Sequence, residues 1–335
     1  MKKIKVAVLG VTGAVGQEFL TILEQRKFPI ESLKLLASGR SAGKTIPFMG
    51  RTYKVEEAKP TSFEGLDLVL SSAGGSVSRE LAPAIIKAGA LMVDNTSAFR
   101  MDPEVPLVIP EINPEDIAKH KGIVANPNCS TIIMLVPLWP IHKVAKIKRI
   151  VAATYQAASG AGAKAMEELQ MQTGDFLAGK KITPKVLPHQ IAFNVFSHNS
   201  KIGPDGYCEE ETKMVKETKK IFHDAAIQVT ATCVRVPVLR AHSEALFIET
   251  EKAVSVDEVR ALLGKAAGVK LVDDRERNYF PMPLEATGQD DIFVGRLRAD
   301  PTVKNGIAMF VSGDQIRKGA ATNAVQIAEL AFKVN

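Results

Sequence analysis

Disulfide bonds are excluded first. The three cysteines, Cys129, Cys208 and Cys233, are too few and too scattered for a covalent framework, and no Cys-x-x-Cys pair offers a zinc site. That usage predicts a reducing, cytoplasmic setting and no metal ligand set. Membrane insertion is equally poorly supported, since the longest apolar run, Ile132 to Ile141, is too short to span a bilayer and contains Pro137 and Pro140. It predicts a core helix. The opening Met1-Lys2-Lys3 leads directly into Ile4-Lys-Val-Ala-Val-Leu9, which reads as a first strand and not as a secretory leader. Charge of one sign is not concentrated anywhere: a net charge of +6 is spread along the chain and interleaved with acids, so nucleic acid is not an expected partner. Internal repeats and low-complexity stretches are also missing. What remains is a globular chain of 335 residues, 46% of them hydrophobic, enough for two domains with a core each.

The first strand runs into Gly10-Val-Thr-Gly13-Ala-Val-Gly16, followed by helical spacing of Phe19, Leu20, Ile22 and Leu23 in Gln17 to Gln25. This is a variant dinucleotide-binding turn, spaced GxxGxxG. Its glycines make a tight turn and admit a pyrophosphate, so Gly10, Thr12, Gly13, Ala14, Val15 and Gly16 are candidate cofactor contacts at a helix N-terminus. The next strand, Leu33 to Ala37, ends without the acidic residue that would hold a ribose 2′-hydroxyl. It is followed by Ser38-Gly39-Arg40-Ser41, whose hydroxyls and guanidinium suit a 2′-phosphate, so the expected cofactor is NADP. Alternation continues through a strand at Leu66 to Leu70, a loop at Ser71 to Gly75 (with Ser71, Ala73 and Gly74 at a strand's carboxyl end), a helix at Ser78 to Ala88 and a strand at Leu91 to Asp94. That order predicts a doubly wound parallel sheet.

The chain then reaches Asn126-Pro-Asn-Cys129-Ser-Thr131, a single thiol between a short apolar strand at Gly122 to Ala125 and the apolar run. Pro127 holds the preceding residue extended, and Ser130 and Thr131 suit a first helical turn. Cys129 at a helix N-terminus would be favoured as thiolate, the nucleophilic form. The stretch alone equally admits a small buried hydrophobe. Beyond it, long β-rich runs at 146–155, 228–237, 245–250, 291–298 and 306–312, with helices at 209–222 and 255–265, predict a mixed or antiparallel sheet, and 319–332 a closing helix. Residues 171–199 carry no legible period. His242 follows a strand-like run, within the polar turn Arg-Ala-His-Ser-Glu. The fold class is therefore α/β, an N-terminal Rossmann-type parallel-sheet domain with a second α+β domain. The expected division is 1–129 with 317–335, and 130–316.

Together with Gln156-Ala-Ala-Ser-Gly-Ala-Gly162, Glu210-Glu-Thr-Lys213, Arg235-Val-Pro-Val-Leu-Arg-Ala-His242 and Asp314-Gln-Ile-Arg-Lys-Gly319, these motifs resemble, over essentially the whole chain, the bacterial aspartate-β-semialdehyde dehydrogenases. The resemblance implies NADP-dependent reductive dephosphorylation of β-aspartyl phosphate to aspartate semialdehyde in lysine, methionine and threonine biosynthesis. It implies Cys129 as nucleophile, His242 as acid/base, Gln156 beside the thiol, Arg100 and Lys213 on phosphate, and Glu210 and Arg235 on the substrate amine and carboxylate. Ser159, Gly160 and Gln315 join the cofactor contacts, and the second domain is expected to build a homodimer. Asp314-Gln315 departs from an expected Asp-Asn without altering the chemistry. N-acetyl-γ-glutamyl-phosphate reductases share the architecture but carry Asn-Pro-Gly-Cys-Tyr-Pro around the thiol, which Asn128 and Ser130-Thr131 do not match. The spacing of Glu210 and Lys213, one helical turn, also fits a plain intrahelical ion pair.

Overall fold

The computed structural model describes residues Lys3 to Val334. The chain forms two compact units, one made of the residues up to Asn128 and from Ala320 onward, the other of Cys129–Gly319. Among the described residues no helix is long and apolar enough to cross a membrane.

In the first unit the strands are β1 (Ile4–Leu9), β2 (Ile30–Ala37), β3 (Thr45–Phe48), β4 (Arg51–Glu57), β5 (Leu68–Ser71), β6 (Leu91–Asp94) and β7 (Ile123–Ala125). They lie in the order β3-β4-β2-β1-β5-β6-β7, parallel throughout except for the β3–β4 hairpin. The strand order reverses at β1, between β2 and β5, and such a reversal opens a crevice at the carboxyl ends of the strands. β5 and β6 are buried on both faces, as a parallel sheet covered by helices requires. Helix α1 (Ala14–Gln25) starts earlier than its apolar spacing suggests, because Ala14 and Val15 already belong to its first turn. Gly10, at φ 86°, turns the chain out of β1. A Cβ on Gly16 would lie 2.2 Å from the Gly10 carbonyl oxygen, so only glycine lets the helix start pack this closely on the turn.

Helix α2 (Gly75–Lys87) follows β5. The C-terminal helix (Thr322–Phe332) supplies Ala324, Val325, Ile327 and Ala328 to the same core as Val6, Phe19 and Leu70. Burying each Val or Ile there contributes about 2 kcal/mol. The Arg26 guanidinium grips the Glu329 carboxylate through two bonds of 2.6 Å, fixing the end of α1 to that helix.

In the second unit helix α3 (Cys129–Ala145) runs the length of the apolar stretch through Pro137 and Pro140. Each proline lacks the amide its turn would use, and burial on nearly every side holds the helix regardless. It packs on a mixed sheet of β8 (Ile147–Gln156), β9 (Phe196–Ser197), β10 (Gln228–Arg235), β11 (His242–Thr250), β12 (Val269–Leu271), β13 (Ile292–Asp300) and β14 (Gly306–Gly313), ordered β12-β13-β14-β11-β8-β10-β9. Between β8 and β9 lie α4 (Ala163–Leu177) and a coil without a period of its own. That coil is held by side chains: Glu168 accepts the amides of Lys185, Val186 and Leu187, and Gln172 those of Ile191 and Ala192. The three amides on Glu168 lower its pKa against the opposing effect of burial. Helices α5 (Glu209–Ile221) and α6 (Val256–Leu263) complete the helical layer.

Strand parity in this sheet decides what faces α3. On β8 the buried positions are Ile150, Ala152, Thr154 and Gln156, alternating with half-buried Val151 and Ala153 and exposed Tyr155. β10 runs parallel to β8 with Arg235 opposite Gln156 and Cys233 opposite Thr154, while antiparallel β11 sets Glu244 opposite Thr154. Two buried rows result. Arg235, Gln156 and His242 form one at the strand ends, and Cys233, Thr154 and Glu244 form the other one step deeper. His242 is therefore the fully buried first residue of β11, not a member of a polar turn.

Candidate active site

Cys129 is the first residue of α3 and is half-buried. In the first unit the peptide leading to it is fixed by Asn126, whose amide donates to Asn95 Oδ1 at 2.6 Å and the Ala320 carbonyl at 3.3 Å, and accepts from Asn323 at 2.7 Å. On the other side of the thiol a Cβ on Gly319 would come within 3.0 Å of the Cys129 Cβ. Cys129 opens α3, and the positive end of the helix dipole suits an anion at the thiol.

Next to the helix start, Gln156 donates to Ser130 Oγ at 2.7 Å and to Glu210 Oε1 at 3.1 Å, while Lys213 reaches Glu210 Oε2 at 3.1 Å. The ion pair suggested by the spacing of Glu210 and Lys213 thus exists, but Glu210 is buried and also holds the amide beside the thiol. Arg235, 4% exposed, lies in the same site: its Nε donates to Asn199 Oδ1 at 3.3 Å, its Nη1 to the Ala157 carbonyl at 3.0 Å, and its Nη2 contacts His198 Nε2 at 2.9 Å. Burial lowers the guanidinium's pKa, offset by the charges of Glu210 and Cys129, so it stays cationic within reach of both.

The His242 ring accepts the Ala157 amide on Nδ1 at 3.0 Å. A neutral imidazole accepting at Nδ1 carries its proton on Nε2, which has no partner among the described residues. Burial, with the Arg235 charge, lowers the ring's pKa to about 3. Gly160 closes over the pair, for a Cβ there would stand 2.6 Å from Arg235 Nη1 and 2.9 Å from His242 Nε2. Gln315 accepts the Ala241 amide at 2.9 Å and donates to Ser159, holding the residue before His242, which has a φ of 70°.

In the deeper row burial pushes the Cys233 thiol far up, leaving it inert. Glu244 is fully buried, neither carboxyl oxygen has a hydrogen-bond partner among the described residues, and burial raises its pKa well above 4.5. Burial without a hydrogen-bond partner favours the protonated, neutral form.

In the first unit a cleft of about 540 Å³ at the carboxyl ends of β1 and β2 is lined by Gly10, Thr12, Gly13, Ser38, Arg40, Ser72 and Ala73 among others. A Cβ on Gly10 would sit 2.7 Å from the Ser72 carbonyl oxygen, so the glycine keeps this wall open. Ser38 and Arg40 are exposed at the rim, and Thr12 Oγ1 lies 3.5 Å from Ser41 Oγ. The residues present therefore fit a dinucleotide. Ser71 does not line the cleft: it is fully buried, with its hydroxyl on Ser78 at 3.2 Å. Glu57, paired with Lys59 at 3.0 Å, lines the same wall and had no sequence signal. Arg100 also belongs to this unit, 7% exposed, with Nη2 donating to the Asn95 carbonyl at 2.9 Å. His198 and Asn199 were not legible as site residues, since they lie in the stretch without periodicity.

A dinucleotide cleft on a doubly wound sheet in one unit, and in the other a thiol at a helix start with a buried arginine and a neutral histidine on adjoining strand ends, suit an aldehyde dehydrogenase, an oxidoreductase. Two family models agree: residues 5–120 match the semialdehyde dehydrogenase NAD binding domain, and 138–318 the semialdehyde dehydrogenase dimerisation domain. Over 98% of its length the chain is 59% identical to an aspartate-semialdehyde dehydrogenase of Synechocystis sp., covering 97% of that protein. The crystal structure of aspartate semialdehyde dehydrogenase II from Vibrio cholerae complexed with ASA superposes with a TM-score of 0.97 at 44% identity, covering 100% of this chain and 99% of that one. That of aspartate semialdehyde dehydrogenase with NADP from Candida albicans gives 0.77 at 26% identity, with 98% of each chain covered. The chain belongs to the aspartate-semialdehyde dehydrogenase family.

Proposed function

We propose that this chain interconverts β-aspartyl phosphate and L-aspartate 4-semialdehyde, using NADP and phosphate, through a thioester on Cys129. The observation that carries the reading is the row Arg235, Gln156 and His242 on the sheet face beneath α3, the helix that begins at Cys129. In the reductive direction the Cys129 thiolate attacks the acyl carbon; the C–S bond forms as the C–O bond to phosphate breaks, and phosphate leaves with the electron pair. Lys213, and Arg100 by the family's pattern, offset that charge. The bound dinucleotide supplies the hydride that takes the thioester to the aldehyde level. His242 Nε2–H, with the opening amides of α3, holds the oxyanion until it expels the thiolate as aldehyde forms. Neither carbon–sulfur step needs His242 to remove a proton, so the role expected of it as acid/base gives way here to that of a donor, with Nδ1 occupied by the Ala157 amide. Arg235 takes the substrate carboxylate and Glu210 the amine, aiming the carbonyl at sulfur.

NADP reduction by aspartate semialdehyde, with and without phosphate, tests the reading. Absence of phosphate-dependent turnover would overturn it in favour of a silent dinucleotide-binding homologue. The two anion sites separate kinetically. Arg235→Lys is expected to raise the semialdehyde KM and lower kcat, because a point charge loses the two-bond grip, while leaving the phosphate KM nearly unchanged. Arg100→Ala is expected to do the reverse. If Arg235→Lys chiefly harms phosphate use, the assignment is wrong.

Preference for NADP rests on Arg40 and Ser38 at the cleft rim. Arg40→Ala is expected to weaken NADP roughly tenfold to a hundredfold, as suits loss of a charge-assisted contact of about 1.5 to 3 kcal/mol, and to leave NAD nearly unaffected. Equal losses in titrations with both dinucleotides would reduce the loop to scaffolding. Assembly as a homodimer in the cytoplasm completes the proposal. Its support is the sheet face away from α3, where Tyr155 is 41% exposed and meets Phe310, within the span matched to a dimerisation domain. Light scattering of the purified chain reads the mass.

A further inference from the structure

Arg235 does not hold itself in place, and the arithmetic of its donors shows what does. A guanidinium has five N–H groups and no acceptor. Three are engaged within the second unit, on Asn199 Oδ1, the Ala157 carbonyl and His198 Nε2. Two are left, one on each Nη nitrogen, which is the number a carboxylate takes.

The contact with His198 also fixes that ring. Arg235 Nη2 can only donate, so His198 Nε2 must accept, and the ring is neutral with its proton on Nδ1. The Nδ1 proton has an acceptor in place, Ser200 Oγ at 3.0 Å, and the same oxygen accepts the Glu210 amide at 3.2 Å in the first turn of α5. The Ser200 amide is also directed at Nδ1, as a donor at 3.2 Å, so this tautomer sets one neutral N–H against the Nδ1 proton. The opposite tautomer would accept that amide but set Nε2–H against the cationic Nη2 at 2.9 Å, the closer and costlier clash. Edge strand β9 delivers the ring to this spot: Phe196 pairs with Arg235 and Ser197 with Val234, and the His198 amide donates to the Cys233 carbonyl at 2.9 Å, which puts residue 198 on the same face of the sheet as Arg235.

We propose that His198 is a positioning residue: its Nε2 lone pair, oriented by Ser200, fixes the Arg235 guanidinium so that one N–H on each Nη nitrogen faces the substrate's α-carboxylate. The proposal rests on the reading of Arg235 as the carboxylate ligand. Burial and the Arg235 charge lower the His198 pKa to about 4, against Glu210 and Glu211 acting the other way and Lys213 acting with Arg235, so the lone pair is present at neutral pH.

Two amides that differ only in reach test it. Glutamine places its carbonyl oxygen near the position of Nε2, asparagine near that of Nδ1. His198→Gln is expected to keep the KM for aspartate semialdehyde within about threefold of the parent, and His198→Asn to raise it by about tenfold, the effect of losing one hydrogen bond to a charged group. KM values for phosphate and NADP are expected to stay within about twofold in both. With 3-aminopropanal, which lacks the α-carboxylate, the two variants and the parent are expected to give the same kcat/KM. Equal KM values for the two variants with aspartate semialdehyde, or equal losses on both aldehydes, would overturn the inference. Should Arg235→Lys leave the semialdehyde KM unchanged, the carboxylate reading itself fails. Should it raise that KM while His198→Asn does not, only the role of His198 fails.

Discussion

Replacing Cys129 by alanine is expected to lower kcat by on the order of 10⁴-fold or more, with NADP affinity within about twofold of the parent. In the proposed mechanism the thiol at the start of α3 forms the acyl intermediate, and it is not among the residues lining the dinucleotide cleft. Serine is expected to be little better, because its hydroxyl is far less ionised at neutral pH and an ester accepts hydride less readily than a thioester. Single-turnover measurements with labelled substrate distinguish the cases. Turnover by the alanine variant near the parent's rate would remove the covalent mechanism altogether.

The second large effect concerns stability. Glu244 is buried one step deeper than the row of Arg235, Gln156 and His242, with its pKa raised well above 4.5, so at neutral pH folding binds a proton that the unfolded chain releases. Stability from this group is therefore full below about pH 4.5 and is lost as pH rises toward the folded pKa, by about 1.4 kcal/mol per pH unit. Glu244→Gln keeps the shape and does not titrate. Its advantage in Tm over the parent is expected to be small near pH 5 and to grow by several degrees by about pH 7. A Tm difference that stays the same across that range would mean that Glu244 is ionised in the folded protein.

The same residue shows where sequence reading stopped. Arg-Ala-His-Ser-Glu reads as a polar turn, yet Ser243 and Glu244 lie inside a central strand, one with its hydroxyl on Ser312 at 2.6 Å and the other neutral. Polarity was satisfied or discharged by tertiary neighbours, which no local pattern records. The β3–β4 hairpin was hidden for another reason. Its two-residue turn, Met49-Gly50, has φ of 46° and 72°, a geometry usually announced by Asn-Gly. The coil after α4 is ordered by Glu168 and Gln172 through main-chain amides, so it has no period to find. Legible features were those whose physics is local: the strand–glycine–helix start of the first unit, the apolar helix behind Cys129, and the alternation of β8 and β10. The roles expected of the candidate site residues came from the family resemblance and not from a local pattern. His198 was not, since only the pairing of β9 with β10 brings it to Arg235.

The division of the chain also has a consequence during synthesis. The unit carrying the thiol is one uninterrupted segment, whereas the sheet of the first unit buries Ala324, Val325, Ile327 and Ala328 from the very end of the chain. On the ribosome the inserted segment has all its strands before its host has its last core residues, so the earlier-made unit is the later one to finish. Asn126, three residues ahead of Cys129, waits on Asn323 for one of its bonds. A nascent chain stopped short of the helix at Thr322–Phe332 would lack that bond, and a stalled or clipped product would lose the tie on the segment leading into Cys129.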